Sequence, residues 1–435
     1  MGNYFQPEFE TMAPDALRAL QLEKLKKQVR HVYDHVPYYR ALMDEKGVKP
    51  EDIVTLADLS KLPFLSKDDL REAYPDGMLG VPKKDCVCIH STSGTTGKRV
   101  IAYYTQHDKD LWEDCVARAM TAAGVTKDDT VQVCFGYGLF TGGAGVDAGA
   151  QKIGALTLPM SSGNTDRQIQ FMQDLHATTI CCTPSYAGYL AESMKNAGLA
   201  PDDIPLKTGI FGAEPWTEEM RRSIEKGLGI KAYDIYGLTE ISGPGVAFEC
   251  TAQHGMHINE DHFLAEIVNP ETGEVLPEGE KGELVFTCLD KEAFPMMRYR
   301  THDLCALSRE QCSCGRTFLK MRRPMGRVDD MLIIRGVNVF PSQVEAVLIK
   351  EGYSANYRIE VDRANHNDTF DVFVEFLPED FEDTVRQVAE KEKKLQTALK
   401  EMLGISPKVH LVEPRSIERS EGKAKRVIDR RNFTD

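Results

Sequence analysis

Residues 90–99 read HSTSGTTGKR. Hydroxyl side chains and two glycines run straight into two cations, Lys98 and Arg99. Gly94 and Gly97 permit tight backbone turns. The hydroxyls of Ser91, Thr92, Ser93, Thr95 and Thr96, with the N–H groups of the loop, offer donors to phosphate oxygens, and Lys98 adds charge. The stretch is not a Walker A loop. Aligned on Gly97-Lys98, it has Thr92 where the first Gly belongs and Arg99 where Ser or Thr belongs. Alone, it reads either as a phosphate cradle or as a polar surface loop, and its surroundings decide.

Outward from that loop, from about residue 85 to 290, short β-rich runs alternate with helical stretches. VQVCF (131–135), TTICC (178–182), TGIFG (208–212) and KAYDIYG (231–237) read as buried strands, with helices at 166–176 and 217–228 between them. This alternation predicts an α/β fold with largely parallel sheets. Upstream, 14–31 carries apolar residues at helical spacing. Near 311–330 the chain turns basic, then acidic, with Gly and Pro, which marks a boundary. Beyond it, MLIIR, VFPSQVEAVLIK, YRIEV, TFDVFVEFL, a charged helix over 381–403 and KVHLVE describe a small α+β domain. The expected division is 1–328 and 329–435, within the ordinary range of domain sizes.

Composition limits the function. Of 435 residues, 42% are hydrophobic and 28% charged, with net charge −14, which is globular and acidic. Such a balance argues against a general nucleic-acid binder, and no run is long enough to cross a membrane. The opening MGNYFQPEFE lacks the basic and apolar regions of a secretory leader. Eleven cysteines without a leader predict reduced thiols or a metal site, and a cytoplasmic location.

Further blocks follow the loop in order: FGAEP (211–215), YGLTE (236–240), YRTHD (299–303), GRVDD (326–330) and EGK (421–423). Together they resemble the acyl-adenylate-forming superfamily of acyl-CoA synthetases, adenylation domains and luciferases. Within it, GYGLFTGG (136–143), YGLTEISGPGVAFEC (236–250), HINEDHF (257–263) and GRVDDMLIIRGVNVFPSQVE (326–345) resemble the phenylacetate–CoA ligase family. The resemblance implies that ATP activates a carboxylate to acyl-AMP and that CoA then takes the acyl group. Ser91, Thr92, Ser93, Gly94, Thr95, Thr96, Gly97 and Lys98 would hold phosphates. Gly212, Ala213, Glu214 and Pro215 would form the adenine loop, beside Asp234, Ile235, Gly237 and a stacking Tyr236. Thr239 would contact the α-phosphate and Glu240 would hold Mg²⁺, a hard cation suited to carboxylate oxygen. Asp303 would accept from the ribose hydroxyls, Arg327 would reach ribose or phosphate, and Lys423 would neutralise charge at the reacting oxygens. The small domain would swing about Asp329 and bring Arg335 and Gly336 toward the CoA tunnel, in a hinge motion of known type; a turn or cap role for Asp329 is the alternative.

Phe135, Tyr137, Phe140, Gly142 and Gly143 offer one wall for a planar aryl ring, and Ile235 with Ile241–Pro244 another. Arg316, Lys320, Arg322 and Arg323 read either as a CoA-phosphate patch or as a solvated face. Cys312 and Cys314, with Cys250 and His257, have the composition of a closed Cys₃His zinc site, with His254 competing as ligand. The expected function is an ATP-, Mg²⁺- and CoA-dependent aryl-acid ligase, with structural Zn²⁺ and a homodimeric assembly. Two alternatives stay open: an adenylating enzyme with another acceptor, and a nucleotide-binding homologue without catalysis.

Overall fold

The computed structural model describes residues 2–92, 99–328, 332–335, 337–353, 355–364, 367–376, 385–419 and 424–431. The chain opens with α1 (Pro7–Glu10), α2 (Pro14–His35), α3 (Pro37–Glu45) and α4 (Lys67–Glu72). Proline at the first helical position starts α2, and Pro37 prevents its continuation beyond His35. Its buried stripe, Leu17, Gln21, Leu25, Gln28, Val29 and Val32, follows helical spacing. The two glutamines on that stripe donate to the carbonyls of Glu260 (2.8 Å) and Lys291 (2.6 Å), so the helix is fixed by direction as well as by apolar burial. Ahead of α2, a strap crosses the large domain. Tyr4 Oη donates to Cys314 O (2.6 Å), Arg316 pairs with Glu10 (2.7 Å), and Thr317 Oγ1 donates to Met12 O (2.7 Å).

The hairpin β1 (Cys88–Ser91) and β2 (Ile101–Tyr104) leads into α5 (Gln106–Ala122). Alternation then follows through β3 (Thr130–Val133), α6 (Thr141–Ile153), β4 (Leu156–Leu158), α7 (Thr165–Asp174), β5 (Thr179–Cys182), α8 (Pro184–Asn196), β6 (Thr208–Gly212), α9 (Glu218–Leu228) and β7 (Lys231–Leu238). Strands β3 to β7 pair in parallel, and β5 is buried along its whole length, as expected for a sheet covered on both faces. The expected parallel alternation stops at β7. Strands β8 (Gly243–Glu249), β9 (Met256–Ile258), β13 (Leu307–Ser308) and β14 (Lys320–Met321) extend the same nine-stranded sheet in antiparallel fashion. A second, antiparallel sheet has the order β10 (Phe263–Val268), β11 (Gly282–Cys288), β12 (Tyr299–Cys305), β15 (Gly326–Arg327).

Helices α5 and α6 approach closely because α6 carries glycine where they meet. A Cβ on Gly145 would lie 2.3 Å from the Trp112 ring, and one on Gly149 2.5 Å from Val116. Arg118 of α5 is buried in a bidentate pair with Asp261 (2.7 and 2.8 Å) and also donates to Asn259 (2.9 Å).

The small domain has its own core, from Leu332 to Val409. It comprises the hairpin β16 (Leu332–Ile334) and β17 (Val337–Val339), α10 (Pro341–Lys350), α11 (Val385–Leu403), and the sheet β20 (Lys408–Val412), β19 (Asn367–Glu375), β18 (Tyr357–Ala364), β21 (Val427–Asp429). No helix among the described residues is long and apolar enough to cross a membrane.

Candidate active site

The carboxyl ends of parallel strands are where open α/β sheets bind ligands, and the site forms there. Strand β6 ends at Gly212 and hands over to Ala213, a non-glycine residue at φ 70°. Strand β7 carries Asp234 to Leu238 into the same opening. A cavity of about 130 Å³ is lined by Gly212, Ala213, Glu214, Pro215, Asp234 to Leu238, Asp303 and Arg327. A neighbouring cavity of about 470 Å³ is lined by Ser91, Thr92, Ile235, Gly237, Thr239, Glu240, Arg327 and an apolar wall. The sequence-predicted nucleotide residues that are described therefore converge, although β7 and β12 lie in different sheets.

Their hydrogen bonds differ in kind. Tyr236 Oη donates to Asp303 Oδ2 at 2.5 Å; burial first, and then that carboxylate, push the phenol's pKa up. Arg327 Nη1 stands 3.6 Å from Asp303 Oδ1. Thr239 Oγ1 lies 3.4 Å from Thr141 Oγ1. Glu240 is buried, with Lys67 Nζ at 3.3 Å and Tyr299 close by, whose phenol pKa is pushed up by burial first and then by this carboxylate. Thr92 closes the base of the Gly-rich loop. Its N–H donates to Val100 O, and its Oγ1 accepts from Val100 N, both at 3.1 Å. Ser93, Gly94, Thr95, Thr96, Gly97 and Lys98 lie outside the described residues, as do Asp329, Gly336 and Lys423.

Several expected roles shift. Asp234 lines the smaller cavity, but its carboxylate is engaged by Arg323 at 3.1 Å, and its backbone N–H by Glu249. Burial raises its pKa. Phe135, Phe140 and Gly142, with Gly136, Cys134, Thr141 and Pro244, line the larger cavity. Tyr137 and Gly143 stand behind that wall, where a Cβ on Gly143 would meet the Tyr137 ring at 2.8 Å. Arg335 sits at the exposed turn between β16 and β17, with its N–H on Asp368, and lines neither cavity. Of the basic stretch only Arg322 is exposed, so it forms neither a cationic patch nor a continuous solvated face. Arg316 and Lys320 are buried, and Arg323 is spent on Asp234. Lys67 has no sequence signal, and Tyr299 enters from the sequence only as the opening residue of the YRTHD block. A lone lysine after a capping serine carries no motif, and the tyrosine's burial is visible only once β12 is placed.

The four cysteine and histidine residues also meet. Cys250, His257, Cys312 and Cys314 present ligand atoms all within 4.8 Å of one another, and all four are buried. Cys250 Sγ and Cys312 Sγ are 3.6 Å apart, and Cys314 Sγ is 3.4 Å from His257 Nε2. A tetrahedron with zinc–sulfur bonds of about 2.3 Å has edges of about 3.8 Å, so these separations fit a single tetrahedral ion. His254 is exposed and outside the cluster. The thiol pKa of Cys314 is held below its ordinary value, first by the hydrogen bond from Cys250 and then by His257.

Comparisons agree with this geometry. A profile of the AMP-binding enzyme family matches residues 15–287, and one of the AMP-binding enzyme C-terminal domain matches 336–431. Fold and site thus define an adenylate-forming AMP-binding enzyme with a large and a small domain. The phenylacetate–coenzyme A ligase of Aromatoleum evansii is 50% identical over 428 residues, covering 97% of this chain and 96% of its own. That of Escherichia coli K12 is 48% identical, covering 98% and 97%. The chain belongs to the phenylacetate–coenzyme A ligase family. Among solved structures, a 2-hydroxyisobutyryl-CoA ligase in its postadenylation state, with 2-HIB-AMP, superposes with a TM-score of 0.92 at 29% identity, covering 97% of this chain and 91% of that one. The same ligase in its thioesterification state, with CoA, gives 0.73 at 30% identity, covering 98% and 92%.

Proposed function

We propose that this enzyme converts an aryl acid, phenylacetate foremost, to its CoA thioester in two steps. The carboxylate oxygen attacks the α-phosphorus of ATP, the bond to the β-phosphate oxygen breaks, and pyrophosphate leaves. The CoA thiolate then attacks the acyl carbon, and AMP departs with the electrons of the mixed-anhydride bond. The observation that carries this reading is the continuity of the 470 Å³ cavity. It joins Phe135, Phe140 and Pro244, an apolar wall of the kind an aryl ring packs on, to Thr239 and Glu240 on the phosphate side.

In this reading Tyr236 and the Gly212–Pro215 loop hold the base. Asp303, oriented by the Tyr236 hydroxyl, accepts from the ribose, and Arg327 neutralises phosphate. Phosphoryl transfer asks chiefly for positioning and charge neutralisation, which this donor set supplies. Glu240, a buried carboxylate beside a cation, fits a hard divalent ion, and Mg²⁺ held there would shield the phosphate charge. Lys423 neutralises the oxygens joining acid and α-phosphate, and residues 329–435 rotate as a lid about Asp329. The Cys₃His cluster holds a structural zinc ion. It ties the turn after β8 to the 312–314 loop, with no part in the chemistry.

The test is AMP and pyrophosphate release from ATP and Mg²⁺ with a panel of aryl acids, with and without CoA. Turnover requiring both phenylacetate and CoA is the expected result. Acid-dependent pyrophosphate exchange that CoA never converts to net turnover would move the acceptor away from CoA.

A further inference from the structure

Glu214 sits one residue after the left-handed Ala213, in the loop that borders the nucleotide cavity. Its two carboxylate oxygens serve two different domains. Oε1 accepts from the N–H of Ser185 at 2.7 Å, in the first turn of α8. That amide is one of the donors a helix leaves unsatisfied at its start, so the carboxylate is well placed for it. Oε2 accepts from the N–H of Ala424 at 3.1 Å, in the small domain and directly after the Glu421-Gly422-Lys423 block in sequence. Glu214 and its neighbour Pro215 border both the nucleotide cavity and a second cavity of about 400 Å³ between the domains, which is also lined by Glu345, Ala424 and Arg426.

The rest of that seam is less direct. Arg419 bridges Glu192 of α8 (3.3 Å) and Glu375 of β19 (2.6 Å). Ile349 and Ala355 pack on the apolar cluster around α8 and α9. None of these touches the nucleotide loop. The domain arrangement itself is informative, since the chain superposes on one ligase at 0.92 after adenylation and at 0.73 in thioesterification. The Glu214–Ala424 bond therefore goes with the arrangement seen with the acyl-adenylate in place, and not with that of thioesterification.

We infer that Glu214 is a positioning residue for acyl-adenylate formation: its carboxylate clamps the segment beginning at Ala424 to the adenine loop while the acid is activated, and releases it for thioester formation. This rests on the two-step reading above and adds a residue that decides which step the enzyme is set for. The acid is suited to the task because one side chain accepts on both sides at once. Glutamine keeps one strong acceptor, and alanine keeps none.

The experiment measures the two half-reactions separately in the full-length protein: acid-dependent ATP–pyrophosphate exchange, and thioester formation from supplied acyl-AMP with CoA. Wild type, Glu214→Gln, Glu214→Ala and Lys423→Ala are compared. The expected result for Glu214→Gln is a fall of about 10-fold in the maximal exchange rate, larger for alanine, with the KM for ATP within about 2-fold and the thioester step kept. An unchanged exchange rate overturns the inference. So does a rise in the KM for ATP alone, which would make Glu214 an ordinary adenine-loop residue. A parallel loss of both half-reactions overturns it as well, because it would mark a folding defect. Lys423→Ala separates the two claims: if it leaves exchange intact, the lysine's role fails independently of Glu214.

Discussion

Glu240 is 3% exposed, yet its carboxylate faces the larger cavity and has an ammonium, Lys67 Nζ, 3.3 Å away. On the proposed function, a divalent ion at Glu240 would displace Lys67, a compact charge on a flexible stem, and leave it free to meet phosphate oxygens. The expected outcome for Lys67→Met is a rise of about 10-fold in the KM for MgATP, read from initial rates, because one charge-assisted contact is lost. An unchanged KM would show that Lys67 serves only to neutralise Glu240. The expected outcome for Glu240→Gln is a fall of about 100-fold in pyrophosphate exchange, since the carboxylate acts on charge that develops during transfer. Glu240 was legible in the sequence because Tyr236, Gly237, Leu238, Thr239 and Glu240 are consecutive. Lys67 was not, because it reaches the site from a helix 173 residues upstream whose only local signal is a Ser66 cap.

At the scale of elements, the parallel strands β3, β5, β6 and β7 were readable as short, largely buried runs, whereas β4, three residues long and partly exposed, was not. TGIFG became β6 over the predicted residues, and KAYDIYG became β7 with one residue added. Strand β8 was not readable, since GPGVAFE begins with turn residues. It pairs all the same, because a register shift at Tyr236/Gly237 places Pro244 opposite Gly237, and such irregularities tolerate the missing N–H. The α5–α6 contact depends on a different economy of space. Gly145→Val drives side-chain atoms into Trp112 and should destabilise the large domain by about 1–3 kcal/mol, read as a lower denaturant midpoint. Full stability in that variant would mean that the helices can separate at little cost. The Cys₃His cluster joins the turn after β8 to the 312–314 loop. Protein purified without chelator should carry one zinc per chain, and chelation should lower its Tm while leaving the nucleotide KM unchanged. Absence of metal in elemental analysis removes the zinc assignment.

For the whole molecule, the relation between the domains sets the pH response. Glu345 of α10 is buried at the seam, facing the Thr217 backbone N–H and Arg426, with the carboxylates of Glu214 and Glu219 nearby. Burial, with those two acids adding to it, pushes its carboxyl from an ordinary 4.5 up to about 7. Docking the small domain in this arrangement therefore takes up a proton between those values. It is fully favoured below about 4.5, weakens as pH rises through that window, and levels off above about 7. The ratio of adenylation to thioester rates should fall between about pH 5 and 7 and level off above, and Glu345→Gln should flatten that slope; an identical slope in the variant would refute the assignment. The two-domain division was legible because the composition changes near Arg327, whereas the seam was not, since Glu214, Glu345 and Ala424 carry no shared pattern in the chain. The N-terminal strap bears on biosynthesis. Tyr4 and its acceptor at Cys314 are 310 residues apart, and α2 docks on the carbonyls of Glu260 and Lys291. A ribosome adding roughly 5–20 residues per second makes the first helices long before the surface that receives them. For roughly 15–60 s after Tyr4 is added its acceptor at Cys314 has yet to be made, so this strap is among the last segments to find its place.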